Sequence, residues 1–161
     1  MKGKKMITID IPGWGNIDIE NIVLDLNGTI ATDGRISQEV KEKINLLSEN
    51  VKIYVLTADT QGTASEEIQD MIAELIKIIG EDSKKGKLEF LSSLKPEMTV
   101  AIGNGSNDQF LMEETALGIA VLGDEGVSFS ALKNADIIVK NISDALDLFL
   151  RPKRLIATLR E

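Results

Sequence analysis

Two stretches of this chain end an apolar run in side chains able to do chemistry. In Asn21-Ile-Val-Leu-Asp25-Leu-Asn27-Gly28-Thr29 a run suited to a buried strand delivers one carboxylate, then an amide, a glycine and a hydroxyl. A carboxylate at the carboxyl edge of such a strand can attack phosphorus and form an acyl phosphate. Gly28 permits close backbone approach, Thr29 adds a hydroxyl, and the amides that follow the strand can cradle an anion. In Val100-Ala-Ile-Gly103-Asn104-Gly105-Ser106-Asn107-Asp108 the arrangement recurs, with polar side chains after a glycine-flexed turn. Oxygens from Asp25, Asn104 and Asp108, with water and a backbone carbonyl, suit Mg²⁺, which takes hard ligands in octahedral geometry. A helix starting near Ser106 would aim its amino end at the same place. Thr57 closes another apolar run and is followed by Ala58-Asp59, so its hydroxyl can donate to a phosphoryl oxygen. Lys87 opens a helix before the Val100 run, and its ammonium could neutralise both a nucleophile and a transferring phosphoryl group. Lys84 and Lys85 compete for that role.

What is missing narrows the chemistry further. The 161 residues include no cysteine and no histidine. Disulfides, zinc thiolates, imidazole ligands, histidine bases and Ser-His-Asp hydrolysis are therefore excluded. Any reaction must run on carboxylates, Lys, hydroxyls, backbone amides and a hard cation. The formal charge of −8 disfavours non-specific nucleic-acid binding. The cationic Arg151-Pro-Lys153-Arg154 reads as a solvated face. Apolar runs are short and broken by charge, so no membrane span and a cytoplasmic location are expected.

These residues need elements to hold them. Positions 6–11 and 17–19 alternate around Pro12-Gly-Trp14-Gly15 and predict a two-stranded hairpin at the sheet edge. Strands are predicted at 21–26, 51–57, 75–79, 99–102, 117–122 and 136–139, with the assignment of 74–79 left between helix and strand. Helices are predicted at 37–48, with Ser37 as N-cap and Val40, Ile44 and Leu47 on one face, and from 63 to about 73. Others are predicted at 84–94, from 106 or 107 to about 115, at 127–134, and at 143–159 with a break at Pro152. Strands separated by helices predict an α/β fold: a three-layer, doubly wound parallel sheet of Rossmann type with an N-terminal β-hairpin. One domain over 1–161 is expected, with a hairpin extension over 1–20 and a helical tail over 151–161.

The ordered motifs resemble those of the haloacid dehalogenase (HAD) superfamily, near the soluble relatives of P-type ATPase phosphorylation domains. Asp25-Leu-Asn27-Gly28-Thr29 is similar to DxDGT and DKTGT, and Thr57-Ala58-Asp59 to TGD. Lys87 stands sixteen residues before Gly103 (103 − 87), where the family's lysine falls, and Gly103–Asp108 is similar to GDGxND. Leu117-Gly-Ile-Ala-Val and Ala135-Asp-Ile-Ile-Val match the run beyond that motif. The resemblance covers roughly 21–150. It implies Asp25 as nucleophile, Thr57 and Lys87 as catalytic partners, and Gly28, Thr29, Thr57, Ala58 and Lys87 around the phosphate. It also implies Mg²⁺ on Asp25, Asn27 (through its carbonyl), Asn104 and Asp108.

Two departures shape the expected activity. Asn27 stands where the phosphatases carry an acid/base Asp, and Asn104 where they carry a metal-binding Asp. The expectation is a Mg²⁺-dependent phosphatase-like hydrolase with an aspartyl-phosphate on Asp25, slow because Asn27 cannot shuttle a proton. The alternative is a regulatory or phosphate-binding protein that retains the fold, and a receiver-type switch is disfavoured by the order of its motifs. Asp33 and Asp59 are substitute proton donors to consider. Both amides precede glycine, the context in which Asn deamidates most readily. Only 32 positions (57 − 25) and 30 positions (87 − 57) separate the motifs, too few for a cap domain. An open site suits a phosphorylated small molecule or macromolecule, or a homo-oligomer whose neighbour acts as lid. Trp14, Leu155, Ile156 and Leu159 are candidates for such contacts or for internal packing.

Overall fold

Runs such as Ile22-Val-Leu24 are apolar on both faces of a strand and need cover on both sides. The computed structural model, which describes residues 5–59 and 62–161, supplies it. β1 (Ile7–Ile11) and β2 (Gly15–Ile19) pair antiparallel. β3 (Asn21–Asp25), β4 (Lys52–Thr57), β5 (Glu74–Lys77), β6 (Thr99–Gly103), β7 (Leu117–Val121) and β8 (Ile137–Val139) form a parallel sheet in the order β5-β4-β3-β6-β7-β8. The helices are α1 (Gln38–Leu47), α2 (Thr63–Glu67), α3 (Ser83–Ser92), α4 (Gln109–Glu114), α5 (Phe129–Asn134), α6 (Ile142–Leu150) and α7 (Pro152–Leu159).

Alternation along the strands divides the core. Ile22, Leu24, Ile53, Val55, Val100 and Ile102 join one apolar cluster with Val40 and Ile44 of α1, Phe149 of α6 and Leu155 of α7. Val23, Tyr54, Leu56 and Ala101 face the other way, against Leu91 of α3 and Leu111 of α4. The chain steps outward from β3 to β4 and β5, then returns to β6 on the other side of β3. Such a reversal opens a crevice at the carboxyl ends of β3 and β6, where open α/β sheets bind ligands.

Several boundaries differ from expectation for local reasons. The hairpin is not an edge of the main sheet but a sheet of its own, because Ile9, Ile11, Ile17 and Ile19 all turn one face into the larger cluster. α2 ends at Glu67 rather than near 73. There the Asn45 side chain accepts from the Ile72 amide (2.7 Å) and donates to the Asp70 carbonyl (3.3 Å), drawing the chain toward β5. The segment left between helix and strand is a strand, β5. The helix expected from 106 or 107 forms as a 3-10 turn, Ser106–Asp108, followed by the six residues of α4. Pro152 separates α6 from α7 as the latter's first residue, where its missing N–H costs nothing.

Trp14, Ile156 and Leu159 pack against the core, Leu155 lies within it, and the Glu161 amide donates to the Pro12 carbonyl at 3.0 Å. The tail is thus docked on the hairpin. The charged residues 1–4 lie outside the described residues. Among the described residues no helix is long and apolar enough to cross a membrane.

Candidate active site

Asp25 is the last residue of β3, and its register partner on β4 is Leu56. Next to it the chain turns sharply. Gly28 has φ of +79°, and any Cβ there would collide with the Asn104 side-chain amide, so this glycine lets the two motifs meet. Thr29 Oγ1 lies 3.3 Å from Asp25 Oδ2 and 3.1 Å from Asn104 Oδ1. A hydroxyl carries one proton and can serve only one of these oxygens at a time.

Lys87 arrives from the other side. α3 starts at Ser83, capped by Asp82, so Lys87 sits one turn inside the helix rather than at its opening. It shares a buried face with Leu91, four residues on. Lys87 is only 1% exposed. Its Nζ donates to Asp25 Oδ1 at 2.9 Å, to Asp108 Oδ1 at 2.7 Å and to Asn107 Oδ1 at 3.1 Å. Its rivals are spent elsewhere: Lys84 Nζ donates to Gln109 Oε1 at 3.1 Å and lies over the Phe110 ring, while Lys85 is exposed.

Asp108 is fully buried, and both its oxygens are engaged. Oδ1 accepts from Lys87, and Oδ2 accepts from the amides of Asn104 (3.1 Å) and Gly105 (3.0 Å). A Cβ at Gly103 would occupy the place of that carboxylate. Asp108 therefore shapes the 104–105 turn and anchors the lysine together.

Two carboxylates and one ammonium leave one negative charge in a nearly closed space. Burial pushes the Asp25 carboxyl up, the Asp108 charge adds to the rise, and Lys87 pulls back, leaving it at about 7. Burial alone would drag Lys87 down, but Asp108 and Asp25 outweigh it and hold the ammonium above the ordinary lysine value.

The remaining predicted residues divide. Thr57 ends β4 one position beyond the partner of Asp25, is buried, and its hydroxyl accepts from the Asp59 amide at 3.0 Å. Ala58 and Asn27 are exposed at the same sheet edge. Gly28 and Thr29 sit between Asp25 and Asn104. Asp33 lies on an exposed turn with φ of 52°.

Sequence reasoning overlooked two contributors. Asn107 links Lys87 to the start of α3, its Nδ2 donating to Ser83 Oγ at 3.1 Å. The segment after β7 lies against Asn104: the Gly126 carbonyl accepts from Asn104 Nδ2 (3.1 Å), and the Ser128 amide donates to the Asn104 carbonyl (2.7 Å). The paired glycines of Gly123-Asp-Glu-Gly126 signalled a turn there, but only tertiary packing says what it touches.

The donor set admits a hard cation on modest terms. Asp25 Oδ2 and Asn104 Oδ1 face one shared donor, so one of them always has a lone pair to give, and the excess negative charge calls for a counter-ion. Among the described residues no three Asp or Glu side chains gather to hold a metal. The cavities of about 790 and 290 Å³ open at the opposite edge of the sheet, lined by Lys5, Lys52 and Tyr54 in the first and by Glu20 and Asn21 in the second, away from these groups.

No family model matches the chain. A soluble P-type ATPase-like phosphatase of Methanocaldococcus jannaschii is 31% identical over 140 residues, which is 84% of this chain and 51% of that protein. The chain thus spans about half the length of that relative. The uncharacterized protein MJ0073 of the same organism is 48% identical over 82 residues, 48% of this chain and 88% of that one. Among solved structures, a Legionella pneumophila protein assigned to subfamily III A of the HAD superfamily superposes with a TM-score of 0.69 at 16% identity, covering 87% of this chain and 86% of its own. The chain has the fold of HAD hydrolases. Another structure with this HAD fold is the 3-deoxy-D-manno-octulosonate 8-phosphate phosphatase of Moraxella catarrhalis, in complex with magnesium, phosphate and KDO. Its TM-score is 0.68 at 14% identity, covering 88% of this chain and 94% of that one.

Proposed function

We propose that this protein is a phosphatase-like hydrolase of HAD type that uses Asp25 as nucleophile and Mg²⁺ as cofactor. The observation that carries the reading is Asp25 at the switch point, with the Lys87 ammonium on one oxygen at 2.9 Å and the Thr29 hydroxyl near the other. A carboxylate oxygen of Asp25 forms a bond to phosphorus as the ester P–O bond breaks, and the leaving oxygen takes a proton from water. Water then attacks the aspartyl-phosphate, the bond to Asp25 breaks, and inorganic phosphate leaves with the carboxylate restored. Lys87 orients Asp25 and favours its ionised form before the attack, and backbone amides after Gly28 face the phosphoryl oxygens. Mg²⁺, held by Asp25, the Asn104 side-chain oxygen and the Asn27 carbonyl, would supply charge against the phosphoryl oxygens. Asp108 acts from behind, through Lys87 and the 104–105 backbone. Thr57 and Ala58 border the phosphate. Asn27 has no proton to give, so both steps lose the factor of about 10²–10⁴ that general acid–base help supplies.

The test is hydrolysis of para-nitrophenyl phosphate with and without Mg²⁺, for wild type and Asp25→Ala. Turnover that needs both the metal and Asp25, with one phosphoryl group on the Asp25 peptide after acid quench, is the expected result. Equal traces from the two proteins overturn it. They would favour the second reading, a regulatory phosphate-binding protein, to which the two amides and the sparse acidic ligand set also point.

A further inference from the structure

The segment after β7 is built onto the candidate site yet exposes side chains that the fold does not use. Its start is pinned to β8, where Leu122 and Gly123 amides donate to the Val139 and Lys140 carbonyls, both at 2.9 Å. Its middle crosses the first motif: a Cβ on Gly123 would lie 3.2 Å from the Gly28 carbonyl. Its end grips Asn104 through Gly126 and Ser128. Ser128 caps α5, accepting from the Ala131 amide at 3.1 Å, and the buried Ala131 seats that helix. Val127 and Leu132, the flanking positions that can staple a helix start, are half-buried. Phe129 does neither job. It is 75% exposed one residue beyond the Asn104 contact, and Leu122 at the other end is 42% exposed. Asp124 and Glu125 are exposed between them.

We infer that residues 122–129 select the leaving group, favouring a phosphomonoester whose alcohol part is flat, apolar and free of negative charge. The inference rests on the hydrolase reading above and names its substrate class. A large aromatic left in water beside a phosphoryl site has apolar surface to gain by stacking on a bound ring. Two carboxylates on the same wall repel a ligand that brings anionic charge beyond its phosphate, and salt weakens that repulsion. Among the described residues no inserted element covers the sheet edge, and this wall is the part of the site that meets the leaving group.

The experiment compares kcat/KM for acetyl phosphate, phenyl phosphate and 4-carboxyphenyl phosphate. It uses wild type, Phe129→Ala and the double variant Asp124→Asn/Glu125→Gln, each checked for an unchanged thermal midpoint. Phe129→Ala should lower the phenyl-to-acetyl ratio about tenfold. The double variant should shrink the preference for phenyl over 4-carboxyphenyl phosphate severalfold at low salt, and less at high salt. A phenyl-to-acetyl ratio equal to wild type in Phe129→Ala, or undiminished carboxylate discrimination in the double variant, overturns the inference. If acetyl phosphate turnover in wild type needs neither Mg²⁺ nor Asp25, the hydrolase reading itself falls, and this inference with it.

Discussion

Asn27-Gly28 and Asn104-Gly105 are the same dipeptide, both border Asp25, and the fold treats them in opposite ways. Asn27 is exposed, and no side-chain bond ties it to the described residues. Asn104 is knitted in: its oxygen accepts from Thr29, its amide donates to Gly126, its carbonyl takes the Ser128 amide, and its own N–H meets Asp108. In the proposed reaction one amide stands where a proton would have to move. The other holds the walls of the site together. A carboxylate would therefore cost little structurally at the first position and a good deal at the second.

The sharpest way to break that comparison is Asn27→Asp. It should raise turnover of esters with poor leaving groups by up to about 10²–10⁴-fold, while Asn27→Ala changes it little. Steady-state rates on an alkyl phosphate decide, and no gain in Asn27→Asp would remove the account of slowness. Asn104→Asp should act on the cation instead. It should tighten Mg²⁺ on the order of tenfold, because ligand charge count tunes affinity. Without metal it should destabilise the protein by setting a second carboxylate beside Asp25 at Thr29 and by losing the bond to Gly126, which calorimetry and chelator titration can separate.

Stability gives a smaller contrast. Asn104→Ala should cost about 0.5–1.5 kcal/mol by removing the bond to Gly126 and leaving Thr29 with Asp25 as its acceptor. Asn27→Ala should stay within about 0.5 kcal/mol, as for an exposed side chain without bonds. Urea unfolding checks both.

The metal-free protein should also respond to pH through Asp25. Its carboxyl is raised from 3.8 to about 7 in the fold, so its contribution is fully present below the unfolded value and is lost as pH rises through about 7. Unfolding in chelator should therefore show lower stability at pH 8 than at pH 5.5, with Asp25→Asn flattening the difference. Lys87, also raised, gives up its contribution only above the ordinary lysine range, outside that window. The smallest effect is chemical: on storage, Asn27 should deamidate before Asn104, whose side chain is held at both ends. Peptide mass analysis over time reads this directly.

The elements around the site were legible because their signals are local. The all-apolar Ile22-Val-Leu24, the Ser37 cap with Val40, Ile44 and Leu47, and Pro152 between two helices each state their structure in a few residues. The hairpin misled because alternating isoleucines fit an edge strand and a separate sheet equally well. Three lysines within four positions could have reached Asp25, and only helix phase, fixed by the Asp82 cap, picked out Lys87. The bond between Asn104 and Gly126 spans 22 positions and has no sequence signature. Local pattern names the side chains at such a site; packing decides which of them are occupied.

The docking of α7 on the hairpin has a consequence for synthesis. During translation the isoleucine face of β1 and β2 is made long before Leu155, the side chain that helps cover it. Until α7 emerges, an apolar ribbon with open edges waits beside an unfinished core, the kind of surface that chaperones bind and that aggregates when left alone. Ribosome-bound chains halted before Pro152 should therefore be protease-sensitive at the hairpin, and released chains protected.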